Sequence, residues 1–265
     1  MLIPAQPTGQ PPWSDVRSLV TAGLTRVIDL VMPPQCAVCA APVERCAALC
    51  PRCWARIDFI EPPYCARLGL PFAYDLGPGA LSAAALASDH PFDRVRSVAL
   101  YHGPARDLVT ALKFGARVSH APMMAAWMAR AGAELLEDTD LVVPVPMHWL
   151  RLAARRHNQA ALLARHIAAR AGRGFAPGLL ARRRRTRPQT GLSAAARARN
   201  LTGAIALARP GGVRGAAILV VDDVFTTGAT AAACARALKR AGARRVDVLT
   251  FARVAGEGEN AIFGG

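Results

Sequence analysis

The segment VVDDVFTTGAT, Val220 to Thr230, sets two adjacent carboxylates between an apolar run and a Thr/Gly-rich turn. The apolar run GAAILVV (215–221) predicts a buried strand. Asp222 and Asp223 then stand just past its carboxyl end, where open parallel sheets receive their ligands. The turn after them opens a helix. The first amides of a helix have no internal partner and carry the positive end of its dipole, which suits a phosphate. Thr226, Thr227 and Thr230 add hydroxyl donors, and Gly228 permits close approach of the backbone. The carboxylates suit vicinal hydroxyls or a hydrated Mg²⁺. A sugar phosphate satisfies both halves at once. A Walker-type phosphate loop would need a lysine, and this segment has none. An ordinary strand-to-helix turn would need only one capping acid.

A second chemistry lies upstream. CAVC (Cys36 to Cys39) and CPRC (Cys50 to Cys53) are paired knuckles that can place four thiolates around one zinc ion. A module of about 30 residues has little core of its own, so metal binding supplies folding energy. Cys46 and Cys65 have no C-x-x-C partner, and either can replace a ligand. Cys234 falls on a late helix and reads as core.

The elements that must position these groups follow from patterning. Val16, Leu19, Val20, Leu24, Val27, Ile28 and Val31 recur at helical spacing, predicting an amphipathic helix that Pro33-Pro34 ends. Beyond the cysteines, strands are expected at 94–101, 141–146, 215–221 and 244–253. Helices are expected at 103–114, 121–136, 158–172 and 228–241. Alternation of this kind predicts a parallel sheet with helices on both faces, an α/β (Rossmann-like) class. The expected division is a tail and helix (1–33), a zinc-ribbon-like module (34–90), the α/β domain (91–255) and a Gly-rich tail (256–265). No internal repeat of fixed period is visible.

Charge points to a partner. Of 33 basic residues, 15 arginines lie within residues 141–221, which hold no Asp, Glu or Lys. The rest of the chain balances 18 basic against 18 acidic residues, so this block carries the whole net charge of +15. Such a field attracts nucleic acid or a small ligand with several phosphates. Only Trp149 and Phe175 are aromatic there, a sparse set for stacking bases of single-stranded DNA. The start of the chain lacks the pattern of a secretory signal, and no long apolar run predicts a transmembrane helix. A cytoplasmic address without membrane insertion is therefore expected.

VVDDVFTTGAT closely resembles the ribose-phosphate signature of type I phosphoribosyltransferases, which bind phosphoribosyl pyrophosphate (PRPP). The resemblance implies that Asp222 and Asp223 contact the ribose hydroxyls, as the catalytic pair. It likewise implies that Thr226, Thr227, Gly228, Ala229 and Thr230 hold the 5-phosphate. YHGPARDLVTALKF (101–114), VPVPMHWLRLAARRHNQAALLA (143–164), RTRPQTGLSAAARARNLTGAI (185–205) and the two cysteine pairs occur in the order found in the ComF family. That family joins a zinc-ribbon module to a phosphoribosyltransferase-like domain and is associated with natural competence and DNA uptake. The likeness covers about residues 24–253. It implies structural Zn²⁺, Mg²⁺ with PRPP, contact with single-stranded DNA, and a competence helicase and a recombination mediator as partners. His148 and Arg151 are candidates for a pyrophosphate loop. Arg187, Gln189, Arg197, Arg199 and Asn200 are candidates on a loop that closes over PRPP, and Lys113 is placed to reach the same site. The chain departs from the family where Cys65-Ala-Arg-Leu68 replaces a further C-x-x-C knuckle, and at Arg156-His157 before Asn158-Gln159. Whether the domain transfers phosphoribose to a nitrogenous acceptor, or senses PRPP without consuming it, stays open in the sequence.

Overall fold

Valine-, isoleucine- and leucine-rich runs form the strands of one parallel sheet, and alanine- and leucine-rich segments form the helices that cover it. The computed structural model describes residues 33–114, 118–147, 152–153, 157–182, 204–208 and 212–254. The expected helix before Pro33, the arginine-rich loop around 185–200 and the Gly-rich tail lie outside these residues.

The chain divides at Cys50–Pro51 into two compact units. The smaller contains turns and one antiparallel bridge, Gln35 with Pro42. Its buried residues among those described are Cys36, Ala37 and Cys50. A core that small cannot hold a fold without a cross-link.

The larger unit begins with two short helices, α1 (Pro51–Trp54) and α2 (Ala83–Ala87). Then come β1 (Val95–Leu100), α3 (Gly103–Lys113), α4 (Ala121–Ala131), α5 (Ala133–Glu137) and β2 (Leu141–Pro144). They are followed by α6 (Gln159–Ala171), β3 (Gly174–Phe175), β4 (Leu180–Arg182) and β5 (Ile205–Leu207). The unit closes with β6 (Ala217–Phe225), α7 (Ala229–Arg240) and β7 (Arg245–Arg253). The main sheet runs β1-β7-β6-β2-β3, and every pair in it is parallel. β4 and β5 form a separate antiparallel pair. The fold class is the one expected, a parallel-sheet α/β domain. No described helix is long and apolar enough to cross a membrane.

Two local departures have physical causes. The single helix expected over 121–136 is two, divided at Gly132. A side chain at Gly132 would meet Leu249 Cδ1 at 2.8 Å, so glycine sits here because β7 passes close by, and the helix is broken at that point. The strand expected to stop at Val221 continues to Phe225, because its ladder with β7 extends through Asp222↔Thr250 and Phe225↔Arg253. Neighbouring backbone, rather than apolar character, sets its end.

Successive side chains of a strand point to opposite faces. Ile218 and Val220 join the cluster that contains Ala231, Cys234 and Leu238 of α7. The opposite face of the sheet packs against α4 and α6. At the amino ends of the strands, carboxylates are consumed structurally. Asp247 pairs with Arg94 at 2.8 Å, and Asp93 with Lys239 at 2.8 Å. The acids at the other end of β6 need a different explanation.

Candidate functional site

Asp222 and Asp223 occupy the last part of β6, so the pleat sends them to different faces. Asp222 is half-buried and lies on the α7 side. Burial, and then the charge of Asp223, pushes its carboxyl up to about 7; Lys113 and Arg182 act in the opposite direction. The Asp223 amide donates to Asp222 Oδ1 at 2.9 Å. Asp223 is buried, and its Oδ2 accepts from Gln159 Nε2 at 3.0 Å. Lys113 Nζ lies 3.4 Å from the same oxygen.

Three elements create this arrangement. Lys113 closes α3, with its ammonium 5.9 Å from the centre of the Tyr101 ring. Gln159 opens α6, and Asn158 caps that helix by accepting from the amides of Ala160 and Ala161 at 3.0 and 3.4 Å. The Asn158 amide nitrogen donates to Val145 O at 3.2 Å, which ties the start of α6 to the chain leaving β2. Lys113, singled out from the sequence, does meet the acidic pair. Gln159 was missed as a contact; the Asn-Gln pair heading a predicted helix was its only local signal.

The turn from β6 into α7 supplies donors. Gly228 caps α7 with φ +71° and no side-chain cap bond. Among the described residues, no main-chain nitrogen from Thr226 to Thr230 donates a hydrogen bond. Thr227 Oγ1 is buried and finds no partner. A buried hydroxyl beside several free amides at the start of a 12-residue helix is suited to an oxyanion. Thr226 is exposed, Thr230 half-buried and Ala229 buried. His148, Arg151, Arg187, Gln189, Arg197, Arg199 and Asn200 lie outside the described residues.

The second candidate site is the cysteine cluster. The Sγ atoms of Cys36, Cys39, Cys50 and Cys53 all lie within 4.8 Å of one another, with Cys39 and Cys50 at 3.6 Å. Tetrahedral zinc with bonds of about 2.3 Å needs sulfur separations of roughly 3.8 Å. The Cys50 amide donates to Cys36 Sγ at 3.3 Å, as expected for a stabilised thiolate. The donor set therefore fits structural zinc. Cys46 is exposed and is not part of the cluster, and neither is Cys65. Cys234 is buried in the core, where burial pushes its thiol pKa up.

Comparison with known proteins places the chain. "DNA utilization protein YhgH" of Salmonella typhimurium is 35% identical over 224 residues, spanning 82% of this chain and 89% of that protein. The Escherichia coli K12 protein of the same name is 30% identical over 223 residues, with the same coverage. "Competence protein F" of Haemophilus influenzae is 26% identical over 219 residues, spanning 77% and 90%. The chain belongs to the ComF/YhgH family. Residues 27–85 match the family described as "Double zinc ribbon domain", which with the cysteine cluster supports structural zinc in this ComF protein. A solved structure, "Structure of the allosteric regulatory enzyme of purine biosynthesis", covers 60% of this chain and 37% of its own at 18% identity. Its TM-score of 0.34 gives it no weight here.

Proposed function

We propose that this ComF protein binds PRPP at the carboxyl end of β6 and serves DNA utilisation or uptake, as the names of its relatives suggest. The observation that carries the ligand is the donor set at the turn that has no partner among the described residues: the amides from Thr226 to Thr230 and the buried Thr227 hydroxyl. These donors fit the 5-phosphate. Asp222, on the same side of the sheet as α7, fits the ribose hydroxyls. Asp223 is already engaged by Gln159 and Lys113, so in this reading it fixes the end of β6 against α3 and α6 and thereby positions the site. When PRPP is bound, Mg²⁺ would neutralise its pyrophosphate.

The arginine-rich block supports contact with single-stranded DNA in the same role. Cytoplasmic location, a competence helicase and a recombination mediator fit that role and belong to the same proposal. Two further readings of the site are transfer of phosphoribose to a nitrogenous acceptor and sensing of PRPP without turnover.

Calorimetric titration of the full chain with PRPP and Mg²⁺ tests the core of the proposal. Binding should weaken by about tenfold or more in Asp222→Asn, a loss of roughly 1.4 kcal/mol. No binding by the wild-type protein would end the proposal. Pyrophosphate release across a panel of nucleobases and amines would favour the transferase; PRPP-dependent DNA affinity without release would favour the sensor. Labelled single-stranded DNA, titrated at two salt concentrations, should bind far more weakly at the higher one.

A further inference from the structure

Residues 57–90 repeat the local structure of residues 33–56 bond for bond. In the first segment, Gln35 bridges Pro42, the Cys36 amide donates to Ala41 O at 2.7 Å, and the Ala40 amide donates to Cys36 O at 3.1 Å. In the second, Tyr64 bridges Pro71, the Cys65 amide donates to Leu70 O at 2.7 Å, and the Gly69 amide donates to Cys65 O at 2.8 Å. Ala40 and Gly69 share the left-handed conformation, at φ 61° and 60°. The Val43 amide reaches Pro34 O and the Phe72 amide reaches Pro63 O. The Ala37 amide reaches Ala48 O and the Ala66 amide reaches Ala80 O, both at 2.9 Å. The Cys50 amide donates to Cys36 Sγ, and the Ser82 amide to Cys65 Sγ, each at 3.3 Å. A short helix follows in both, α1 after Cys50 and α2 after Ser82.

The pairing assigns a counterpart to every zinc ligand. Cys36 corresponds to Cys65, Cys39 to Leu68, Cys50 to Ser82 and Cys53 to Ala85. The double-ribbon match ends at residue 85, the last of these positions. One thiol, one hydroxyl and two hydrocarbon side chains cannot form a zinc site.

We infer that residues 57–90 are a second zinc ribbon that has lost its metal and is held instead by the core and sheet edge of the α/β domain, so that the chain binds one zinc ion. Cys65, Leu68, Leu70 and Ala85 belong to the same buried cluster as Val95, Val220 and Val246. Main-chain bonds join the segment to the outer edge of β1: the Ile60 amide to Val98 O at 2.9 Å, the Leu100 amide to Asp58 O at 3.0 Å and the Val95 amide to Arg67 O at 2.8 Å. Arg67 links the knuckle to the helix that would have carried the fourth ligand. Its guanidinium donates to Ala85 O, Ser88 O and His90 O at 3.2, 3.1 and 2.9 Å. Arg253 Nη1 donates to Leu68 O at 2.7 Å. A metal joins a knuckle to a helix; here Arg67 and the shared core do so. Among the described residues the first ribbon has no comparable core, and it keeps its four cysteines.

Elemental analysis of the purified full chain should find one zinc per chain. Cys36→Ser should remove it, and Cys65→Ser should leave it unchanged. Two zinc ions per wild-type chain, or loss of zinc in Cys65→Ser, would overturn the inference. The triple variant Leu68→Cys/Ser82→Cys/Ala85→Cys should bind two; a folded triple variant that still binds one would refute the assigned correspondence. Hydrogen exchange of the wild-type chain under a strong chelator decides independently of any variant. Protection should be lost at residues 33–50 and kept at 57–90, and loss in both would count against a metal-free second ribbon.

Discussion

Asp223 Oδ2 is shared by Gln159 Nε2 at 3.0 Å and Lys113 Nζ at 3.4 Å, joining the end of α3 and the start of α6 to β6. The side chain is buried, so these two partners compensate for its lost contact with water. Lys113→Met should therefore destabilise the protein by about 1–3 kcal/mol. Adding Asp223→Asn should recover much of that loss, because the remaining amide no longer needs a cation. Urea unfolding of both single variants and the double variant gives the coupling. Simple additivity would mean that the contact carries no weight.

Much of this arrangement was legible from residue patterns. The alternation of apolar strands with helices and the four-cysteine set both rest on local chemistry that a sequence displays. What it did not display depends on partners distant in the chain. The continuation of β6 through two acids follows from its ladder with β7, and an acid is a poor strand signal by itself. Gln159 and Asp223 are separated by 64 residues, so nothing local announces their bond. The pleat also divides the two acids between faces, whereas adjacency in sequence suggested that they act side by side. The family resemblance located a lost knuckle at Cys65–Leu68, but not the matching helix end at Ser82 and Ala85, because three of the four ligand positions no longer hold cysteine and a repeat is hard to see without its marker residues.

Asp222 should make stability depend on pH in a direction unusual for a carboxylate. Its folded-state pKa is raised to about 7, chiefly by burial. The folded protein therefore holds this proton more tightly than the unfolded chain. The favourable contribution is complete below the ordinary carboxylate range and is lost as pH rises through about 7. Asp222→Asn cannot ionise. Its stability relative to wild type should improve by on the order of 1–2 kcal/mol between about pH 5 and about pH 8. Denaturant unfolding at both pH values checks this; an unchanged difference would rule out a proton held at Asp222.

Gly228 combines a left-handed backbone with a crowded position. Its φ is +71°, and a Cβ there would lie 2.8 Å from Phe225 Cζ. Gly212 has a similar φ of +82° with nothing among the described residues within 4 Å of the added carbon. Gly212→Ala should thus cost about 1 kcal/mol from backbone strain alone. Gly228→Ala should cost roughly 1 kcal/mol more, because the aromatic ring must also move. It should also weaken PRPP binding, since Phe225 and Gly228 shape the turn. Equal melting temperatures for the two variants would mean that the ring adapts freely.

Thr227 separates a binding role from a structural one by the sign of its effect. Its hydroxyl is buried and has no hydrogen-bond partner among the described residues, a position that ordinarily costs stability. Thr227→Val keeps the shape and removes the unsatisfied oxygen. If the turn exists to bind an oxyanion, this variant should be as stable as wild type or more stable by up to about 1 kcal/mol, while its affinity for PRPP falls by about tenfold. Thr226→Val, at an exposed position, should move stability little and so serves as the control. A purely structural hydroxyl would give the reverse pattern, a less stable variant with unchanged affinity. Thermal unfolding and calorimetry on the same preparations therefore decide whether the strained chemistry of this turn is there for a ligand.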